Sequence, residues 1–516
     1  MENSIFVNQT GYIPANQKLA FVDSEKNPSD DFSLCKEDGT VVFSGKLCEP
    51  VSDRVSEQKI RIADFTDFSK KGTFFIKSGK HKSYTFEIGD GIYKNLYKSI
   101  LEYFTASRCG QEVKFGLWSH PACHTGTAVI YGTDLKKKVT GGWHDAGDYG
   151  RYVVAATKTV MDLLLAYEHS KDSFKAFDIL SEIRFELEWL LQMQREDGAV
   201  YHKISCYNFC GFIAPEEEKD QLVLSPVSTA ATADFAGCLS FCSKYFKDSD
   251  PDFADKLLKA AFAALDFLKS HKDIYYTNPP EITTGGYGDH KLNDEKFFAL
   301  CGLYSATGDK KLLKAAMKLH KKKLFESFFW GCVTGYGTEI LLFYSDLKGE
   351  DKVKKELTES ILSRSDDLCE IVNKASYRTS MQKVHWGSNG YVCDEAHILL
   401  LAHRLTGKKE YYNAALSQVD YVLGCNPFNI CYVTGEGKNT VKRPHHRPSG
   451  AAKKAMPGML AGGPSEGVQD EIAKEKLSGN PPLQCYIDHE ASFSTNEVAI
   501  YWNSALVCAI AGLGLV

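Results

Sequence analysis

At 516 residues the chain exceeds what one ordinary hydrophobic core supports, so two domains are expected. Its composition, 43% hydrophobic and 25% charged, is ordinary for a globular protein, and a net charge of −5 argues against a nucleic-acid partner. No apolar stretch is long enough to cross a membrane, and short basic runs such as Lys136-Lys137-Lys138 and Lys321-Lys322-Lys323 read as solvated faces. The start, Met1-Glu2-Asn3-Ser4, lacks a basic segment followed by an apolar one, so no signal peptide is visible. The sixteen cysteines are scattered without regular spacing. Several, such as Cys238, Cys301 and Cys508, sit in apolar helical contexts that suit small buried thiols. The expectation is a reduced, cytoplasmic protein, or a secreted one if a leader has been removed.

Residues 1–88 alternate apolar and polar, with a turn signal every eight to twelve positions. Segments 19–22, 41–43, 59–62 and 72–76 read as strands, and Asp38-Gly39 and Ser78-Gly79 as turns. Roughly seven short strands in this span suggest an immunoglobulin-like β-sandwich. Near Gly89 the period changes from two to 3.6. The spacing then predicts helices over 93–107, 154–169, 179–195, 229–246, 252–270, 293–306, 310–320, 391–406, 409–423 and 495–512. Two of them end at Thr-Gly, Thr307-Gly308 and Thr406-Gly407, and the next helix begins at once. Glycine just past the last turn is a common helix stop, so these are antiparallel hairpins on short loops. Hairpins repeated over 92–516 suit an all-α toroid whose loops meet at one end, where a cleft can form.

The segment Gly141-Gly142-Trp143-His144-Asp145-Ala146-Gly147-Asp148-Tyr149-Gly150 places two aspartates three apart among small residues. A tight backbone there can bring both carboxylates onto one water molecule and remove its proton during attack. Trp143 and Tyr149 are the kind of side chain that faces a sugar ring. The alternative is an Asp N-cap with a second acid in the first helical turn.

A second acid, Glu497, is expected in the first turn of an apolar helix, among Phe493, Val498 and Trp502. Apolar surroundings raise a carboxyl pKa and keep it protonated, as a general acid requires. The alternative is a capping box, with Ser494 as N-cap and Glu497 at N3. A third segment, 433–448, is crowded with donors, among them Arg443, His445, His446 and Arg447. It reads either as a site for sugar hydroxyls or as a basic surface turn.

In these three segments the chain resembles glycoside hydrolase family 9, an inverting cellulase family with a six-hairpin (α/α)6 barrel. The segment 143–149 is similar to the family's nucleophile-water segment, and 433–447 to its Thr-Gly…Pro-His-x-Arg loop. Tyr486-x-Asp488…Phe493…Glu497-x-Ala499…Asn503-Ser504 matches its second motif, and Trp386-Gly387-Ser388-Asn389 a cleft segment. The sandwich resembles the module that precedes the barrel in one branch. The resemblance implies Asp148 as general base, Asp145 as its partner on the water, and Glu497 as general acid. It implies His445 and Arg447 as substrate ligands, with Trp386, Trp502 and Asp488 shaping the site. One ionised and one protonated carboxyl flanking a glycosidic bond is the logic of glycoside hydrolysis in general.

Cys109, Cys123, His124 and His144 offer two thiolates and two imidazoles, a donor set that suits tetrahedral zinc, although their spacing fits no common finger. The same positions look like the zinc ligands of the family branch, which implies a closed structural site bracing the catalytic loop. Gly288 to Glu295 resembles a family calcium loop, with Asp294 and Glu295 as oxygen ligands. The family often adds an aspartate after a Trp in the following loop. Here that loop reads Trp330-Gly331-Cys332, one carboxylate short, and helix-capping acids are the alternative.

The expected activity is inverting hydrolysis of β-1,4-glucosidic bonds in cello-oligosaccharides or β-glucans, with exo-type trimming favoured by the lack of a visible signal peptide or binding module. An exo-β-glucosaminidase acting on chitosan oligosaccharides and a non-catalytic sugar-binding protein are the alternatives. The intact Asp145, Asp148 and Glu497 argue against the last. The expected partner is an oligosaccharide, and the oligomeric state is left open.

Overall fold

Alternating apolar residues at the start of the chain dictate paired strands, and eight are present among the described residues up to Ile88: β1 (Ile5–Phe6), β2 (Leu19–Asp23), β3 (Asp31–Lys36), β4 (Val41–Lys46), β5 (Ile60–Asp64), β6 (Gly72–Ser78), β7 (His81–Lys82) and β8 (Phe86–Ile88). The computed structural model describes residues 4–321 and 323–516. The first three residues, on which the reading of the chain's start rests, and Lys322 of the basic run lie outside them. The chain divides into two units, Met1–Tyr103 with Ser365–Val516, and Phe104–Arg364.

In the first unit the strands form two sheets, β1-β2-β5 and β4-β3-β6-β7, with β8 also paired to β6. Their inward residues, including Ile5, Val22, Leu34, Phe74, Ile76 and Phe86, make one core. Both predicted turns are present. Gly39 (φ 88°) links β3 to β4 and Gly79 (φ 52°) links β6 to β7, a region that glycine enters without steric cost. The same unit carries Ser388–Thr406, Lys409–Val422 and Ile500–Gly512. The first and last are buried almost all round. Gly407 (φ 72°) stops Ser388–Thr406 by donating to the His403 carbonyl at 2.7 Å. The sandwich is tied to this helical layer by Asn8 Nδ2 donating to Asp420 Oδ1 at 2.7 Å and by Gln9 N donating to the Leu423 carbonyl at 3.0 Å.

The second unit holds a small sheet of β9 (Thr127–Ile130), β10 (Lys136–Lys138), β11 (Arg151–Tyr152), β12 (Lys203–Cys206) and β13 (Leu222–Leu224), in the order β10-β9-β13-β12-β11. β11 runs directly into helix Val153–His169. That helix packs on Thr229–Phe246, which packs on Asn293–Thr307, which packs on Thr334–Tyr344. These four are buried on most sides. Ile179–Gln192, Pro251–Ser270 and Lys310–His320 are amphipathic and cover them, so apolar stripes select the outer layer and all-round apolarity the inner one. Gly302 lets Asn293–Thr307 approach closely, since a Cβ there would lie 2.4 Å from the Gly237 carbonyl oxygen.

Two of the longer helices have no counterpart among the predicted ones, Thr334–Tyr344 and Asp351–Lys374. The first contains two glycines. In the second a narrow buried stripe of Leu357, Ile361, Leu368 and Val372 is masked by charge on every other face.

Candidate active site

The segment between Gly141 and Tyr152 is fixed by main-chain turns. Gly141 and Gly142 take φ of 86° and 79°, His144 N donates to the Ser107 carbonyl at 2.7 Å, and Asp145 N to the Gly150 carbonyl at 3.0 Å. Neither aspartate caps a helix: Val153–His169 starts after Tyr152, which makes no side-chain cap. The capping alternative is therefore excluded. Asp148 Oδ2 accepts from Gly150 N at 3.0 Å and from the Tyr152 hydroxyl at 2.8 Å. Asp145 Oδ2 accepts from the Tyr287 hydroxyl at 2.6 Å, while its Oδ1 is buried and meets no donor among the described residues. Burial first, and then the charge of Asp148, pushes the Asp145 carboxyl well above the ordinary carboxylate range, against the pull of Tyr287.

The aromatic residues of the segment correct the expectation that they face a sugar. Trp143 is 1% exposed. Its indole N–H is taken by Glu182 Oε1 at 2.8 Å and its backbone N–H by Glu186 Oε2 at 2.8 Å. Tyr149 is also buried, packs on His144 and His124, and donates to the Ile213 carbonyl at 2.5 Å. Both are props behind the loop. An aromatic residue beside an acid reveals nothing of which way it points until the second partner is known.

Cys109, Cys123, His124 and His144 come together with all four donor atoms within 4.8 Å of one another. Cys109 Sγ lies 3.9 Å from Cys123 Sγ and 3.7 Å from His124 Nδ1, and Cys123 Sγ lies 3.7 Å from His144 Nε2. Tetrahedral zinc with sulfur at about 2.3 Å and nitrogen at about 2.0 Å needs donor separations of roughly 3.5–3.8 Å, so the set fits. Burial alone would raise the Cys109 thiol. The Cys123 thiol, the Arg151 charge and the histidines outweigh it and bring Cys109 well down, towards a thiolate. His124 turns its other nitrogen to Glu218 Oε2 at 2.8 Å, the kind of outer carboxylate that orients a metal-binding imidazole. Nothing in the local sequence marks Glu218 as that partner, 94 residues downstream.

Asp294 and Glu295 begin helix Asn293–Thr307, and two further acids of the second unit bear on them: Asp289, from the same 288–295 loop, and Asp234, which nothing in the sequence singles out. Asp234 projects from the middle of Thr229–Phe246, and Asp289 precedes the helix. Asp294 Oδ2 accepts from Val333 N at 3.0 Å and Asp289 Oδ1 from Lys291 N at 2.7 Å. Both oxygens of Asp234, both of Glu295, and Asp289 Oδ2 are buried with no donor among the described residues. Burial, and then mutual repulsion, pushes Asp234 and Glu295 well up, and burial chiefly raises Asp294. Carboxylates sequestered without donors are costly unless protonated or neutralised by a cation. Oxygen donors of this kind are those of a hard divalent ion, but unlike the Cys109–His144 set these carboxylates are not drawn to within 4.8 Å of one another.

The remaining predicted residues lie in the first unit. Glu497 is not in the first turn of a helix. It follows the short helix Phe493–Asn496, takes extended backbone (φ −68°, ψ 163°), and precedes Ile500–Gly512. It bridges His445, and its carbonyl accepts from Gly462 N at 2.7 Å. Asn496 breaks the helix because its side chain is committed elsewhere, donating to the Arg443 carbonyl at 2.6 Å and accepting from the Tyr486 hydroxyl at 2.8 Å.

His445 is half-buried and is oriented by Nδ1 donating to the Glu490 carbonyl at 2.6 Å. Arg447 opens the short helix Arg447–Ala451 and is 7% exposed. Asp488 pins the loop beneath His445 by accepting from Lys442 N at 2.8 Å and Arg443 N at 2.9 Å. Trp386 is 38% exposed and packs on Phe493, with ring centroids 5.2 Å apart. Trp502, by contrast, is 3% exposed. It fills a slot lined by Gly387, Gly390 and Gly462, where any Cβ would clash or crowd it. It supports the segment from behind and offers no face to a ligand.

Residues 93–510 match the family model for glycosyl hydrolase family 9, and residues 1–83 that of the cellulase N-terminal ig-like domain. A cellodextrinase from Butyrivibrio fibrisolvens is 33% identical over 99% of both chains. A mutant thermostable endoglucanase from Alicyclobacillus acidocaldarius superposes with a TM-score of 0.94 at 34% identity, covering 99% of each chain. The structure of AaCel9A in complex with a cellobiose-like isofagomine gives 0.93 at the same identity and coverage. The fold is thus an N-terminal β-sheet domain followed by a helical catalytic domain of the (α/α)6 class. The chain belongs to glycosyl hydrolase family 9 and is a glycoside hydrolase.

Proposed function

We propose that this enzyme hydrolyses β-1,4-glucosidic bonds of cello-oligosaccharides with inversion, using Asp148 as the base, Asp145 as its partner and Glu497 as the acid. The observation that carries the reading is the Asp145–Asp148 pair. Tyrosine hydroxyls occupy one oxygen of each carboxylate, which leaves Asp145 Oδ1 buried without a donor, and Asp148 Oδ1 without a partner, among the described residues. Two spare acceptors on adjacent rigid carboxylates are what a nucleophilic water needs. The water oxygen bonds to the anomeric carbon as the glycosidic C–O bond breaks. One water proton passes to Asp148, and the leaving oxygen takes the proton of Glu497. His445 and Arg447 hold hydroxyls of the sugar, and Trp386 offers the exposed ring against which a pyranose packs. The name of the Butyrivibrio relative supports short oligosaccharides as substrates.

We assign structural zinc to Cys109, Cys123, His124 and His144, where it would brace the backbone that continues into Asp145. We assign calcium to Asp234, Asp289, Asp294 and Glu295, with Asp234 supplying a carboxylate in place of the one that Cys332 does not provide. Held by these four side chains, zinc would supply a fixed positive charge that ties Cys109, Cys123 and His124 to His144, and no step of hydrolysis would run through it.

The test is a product profile on cellotetraose, a chitosan tetramer and mixed-linkage glucan, with the first anomer read by NMR. Asp148→Ala and Glu497→Gln variants run alongside. An α-anomer from cellotetraose and inactivity of both folded variants are expected. A β-anomer, substantial activity in either variant, or a preference for the chitosan tetramer would overturn the reading.

A further inference from the structure

We propose that Lys203 is a positioning residue for hydrolysis, a buried ammonium that fixes the hydroxyl donors of both Asp148 and Asp145. The inference rests on the assignment of Asp148 as the base.

Tyr152 and Lys203 lie directly opposite each other in the β11–β12 ladder. The ammonium sits over the Tyr152 ring, 5.5 Å from its centroid, and the hydroxyl of that ring donates to Asp148 Oδ2. A cation on the ring face polarises the phenol and strengthens its hydrogen bond. The ammonium is itself immobile, donating to Asn278 Oδ1 at 2.9 Å, Thr284 Oγ1 at 2.9 Å, the Thr284 carbonyl at 3.1 Å and the Gly285 carbonyl at 2.6 Å.

Those contacts pin the segment that leads into Tyr287, the donor to Asp145. Gly285 fits the segment against Tyr152, since a Cβ there would meet the ring at 3.2 Å. The Tyr152 and Tyr287 rings also pack together, 4.8 Å between centroids. One buried charge therefore holds both tyrosines, and each tyrosine holds one carboxylate.

A lysine whose only task was to fill space would not be placed so. It is 0% exposed, and among the described residues no carboxylate forms a salt bridge with it. Burial lowers its pKa to about 7, and attraction to Asp148 opposes the fall. The other titratable groups that face it are Tyr152, His202 and Tyr276, which donates to the same Asn278 Oδ1 at 3.0 Å. Burial keeps His202 neutral, with a pKa lowered to about 3. Asp148 is thus the negative group to which the Lys203 charge is coupled.

The experiment measures kcat and KM against pH on a cello-oligosaccharide for the full-length wild type and for Lys203→Met, Lys203→Arg and Tyr152→Phe. Removing the charge should move the acidic limb of kcat/KM up by about one pH unit. It should lower kcat about tenfold or more, with KM within about threefold. Lys203→Arg should keep the wild-type limb, and Tyr152→Phe should move it as Lys203→Met does. A folded Lys203→Met or Tyr152→Phe with the limb unmoved would overturn the proposal, as would a loss confined to KM. If Lys203→Met does not fold, Tyr152→Phe and Lys203→Arg decide. An active Asp148→Ala variant would instead remove the underlying assignment. An inactive one, with an unmoved limb in Tyr152→Phe, removes only the role of Lys203.

Discussion

Glu218 reaches back 94 residues to hold His124, its Oε2 lying 2.8 Å from the imidazole Nε2 while Nδ1 faces the Cys109 sulfur at 3.7 Å. The imidazole is held between a carboxylate and a thiol, so its orientation, with Nδ1 towards the sulfur, is set by Glu218. Zinc at this site should be found at about one equivalent by elemental analysis. Glu218→Gln should weaken it about 10- to 100-fold in a competition titration, because the amide polarises the ring less. Chelation should lower the melting temperature and, since His144 abuts Asp145, should reduce activity with it. A melt unchanged by a strong chelator would remove zinc from the account.

The acid cluster of the second unit makes a separable prediction. Added calcium should raise the melting temperature, and chelation by EGTA should reverse the gain. Asp234→Asn should abolish the calcium response without affecting the zinc content. The asparagine keeps the shape and replaces an acid whose charged form burial and its neighbours disfavour, so the variant without calcium should melt no lower than the wild type without calcium. A variant that still binds calcium with wild-type affinity by calorimetry would exclude Asp234 as a ligand.

Much of this was legible in the sequence, and the reason differs by feature. The Thr-Gly helix stops could be read because a left-handed residue after a helix is a local demand that glycine meets. That Cys109, Cys123, His124 and His144 gather is expected from the family resemblance and not from their spacing, which fits no common finger, while Asp294 and Glu295 are neighbours in the chain itself. Asp234, Glu218 and Lys203 could not be read, since each acquires its meaning from a partner on another element. A polar residue inside an apolar helix or strand looks the same in sequence whether or not that partner exists. The misplacement of Glu497 has a similar origin: apolar periodicity runs through 495–512, and only the side-chain commitments of Asn496 reveal that the helix begins at Ile500. Trp143 and Trp502 show the limit for aromatic residues, whose local context matches that of a sugar platform although both are buried.

Gly150 tests how tightly the base is held. A Cβ there would stand 2.5 Å from the Tyr152 hydroxyl and 2.7 Å from Asp148 Oδ2, against two atoms that are bonded to each other. The fold can accommodate the methyl group only by separating them. Gly150→Ala should therefore cut kcat by about a hundredfold, the penalty of an ångström-scale misplacement, with the melting temperature within a few degrees of wild type. Near-normal turnover would mean that the Tyr152–Asp148 hydrogen bond is dispensable.

Asp420 links the sandwich to pH. It is buried beneath Asn8, and burial pushes its carboxyl up to about 7, with the Asn8 hydrogen bond opposing the rise. In the unfolded chain the same group titrates near about 3.9. Between those values the folded state binds a proton that the unfolded state has released. The contribution of Asp420 is therefore fully present below about pH 4 and is lost as pH climbs through about 7. The side chain introduced by Asp420→Asn would keep an oxygen for the Asn8 amide and carry no charge at any pH. The melting temperature of that variant should thus match the wild type near about pH 4.5 and exceed it by several degrees near about pH 8, the gap opening between those limits. Parallel melts across that range decide the matter, and a gap independent of pH would show that Asp420 is not the group responsible.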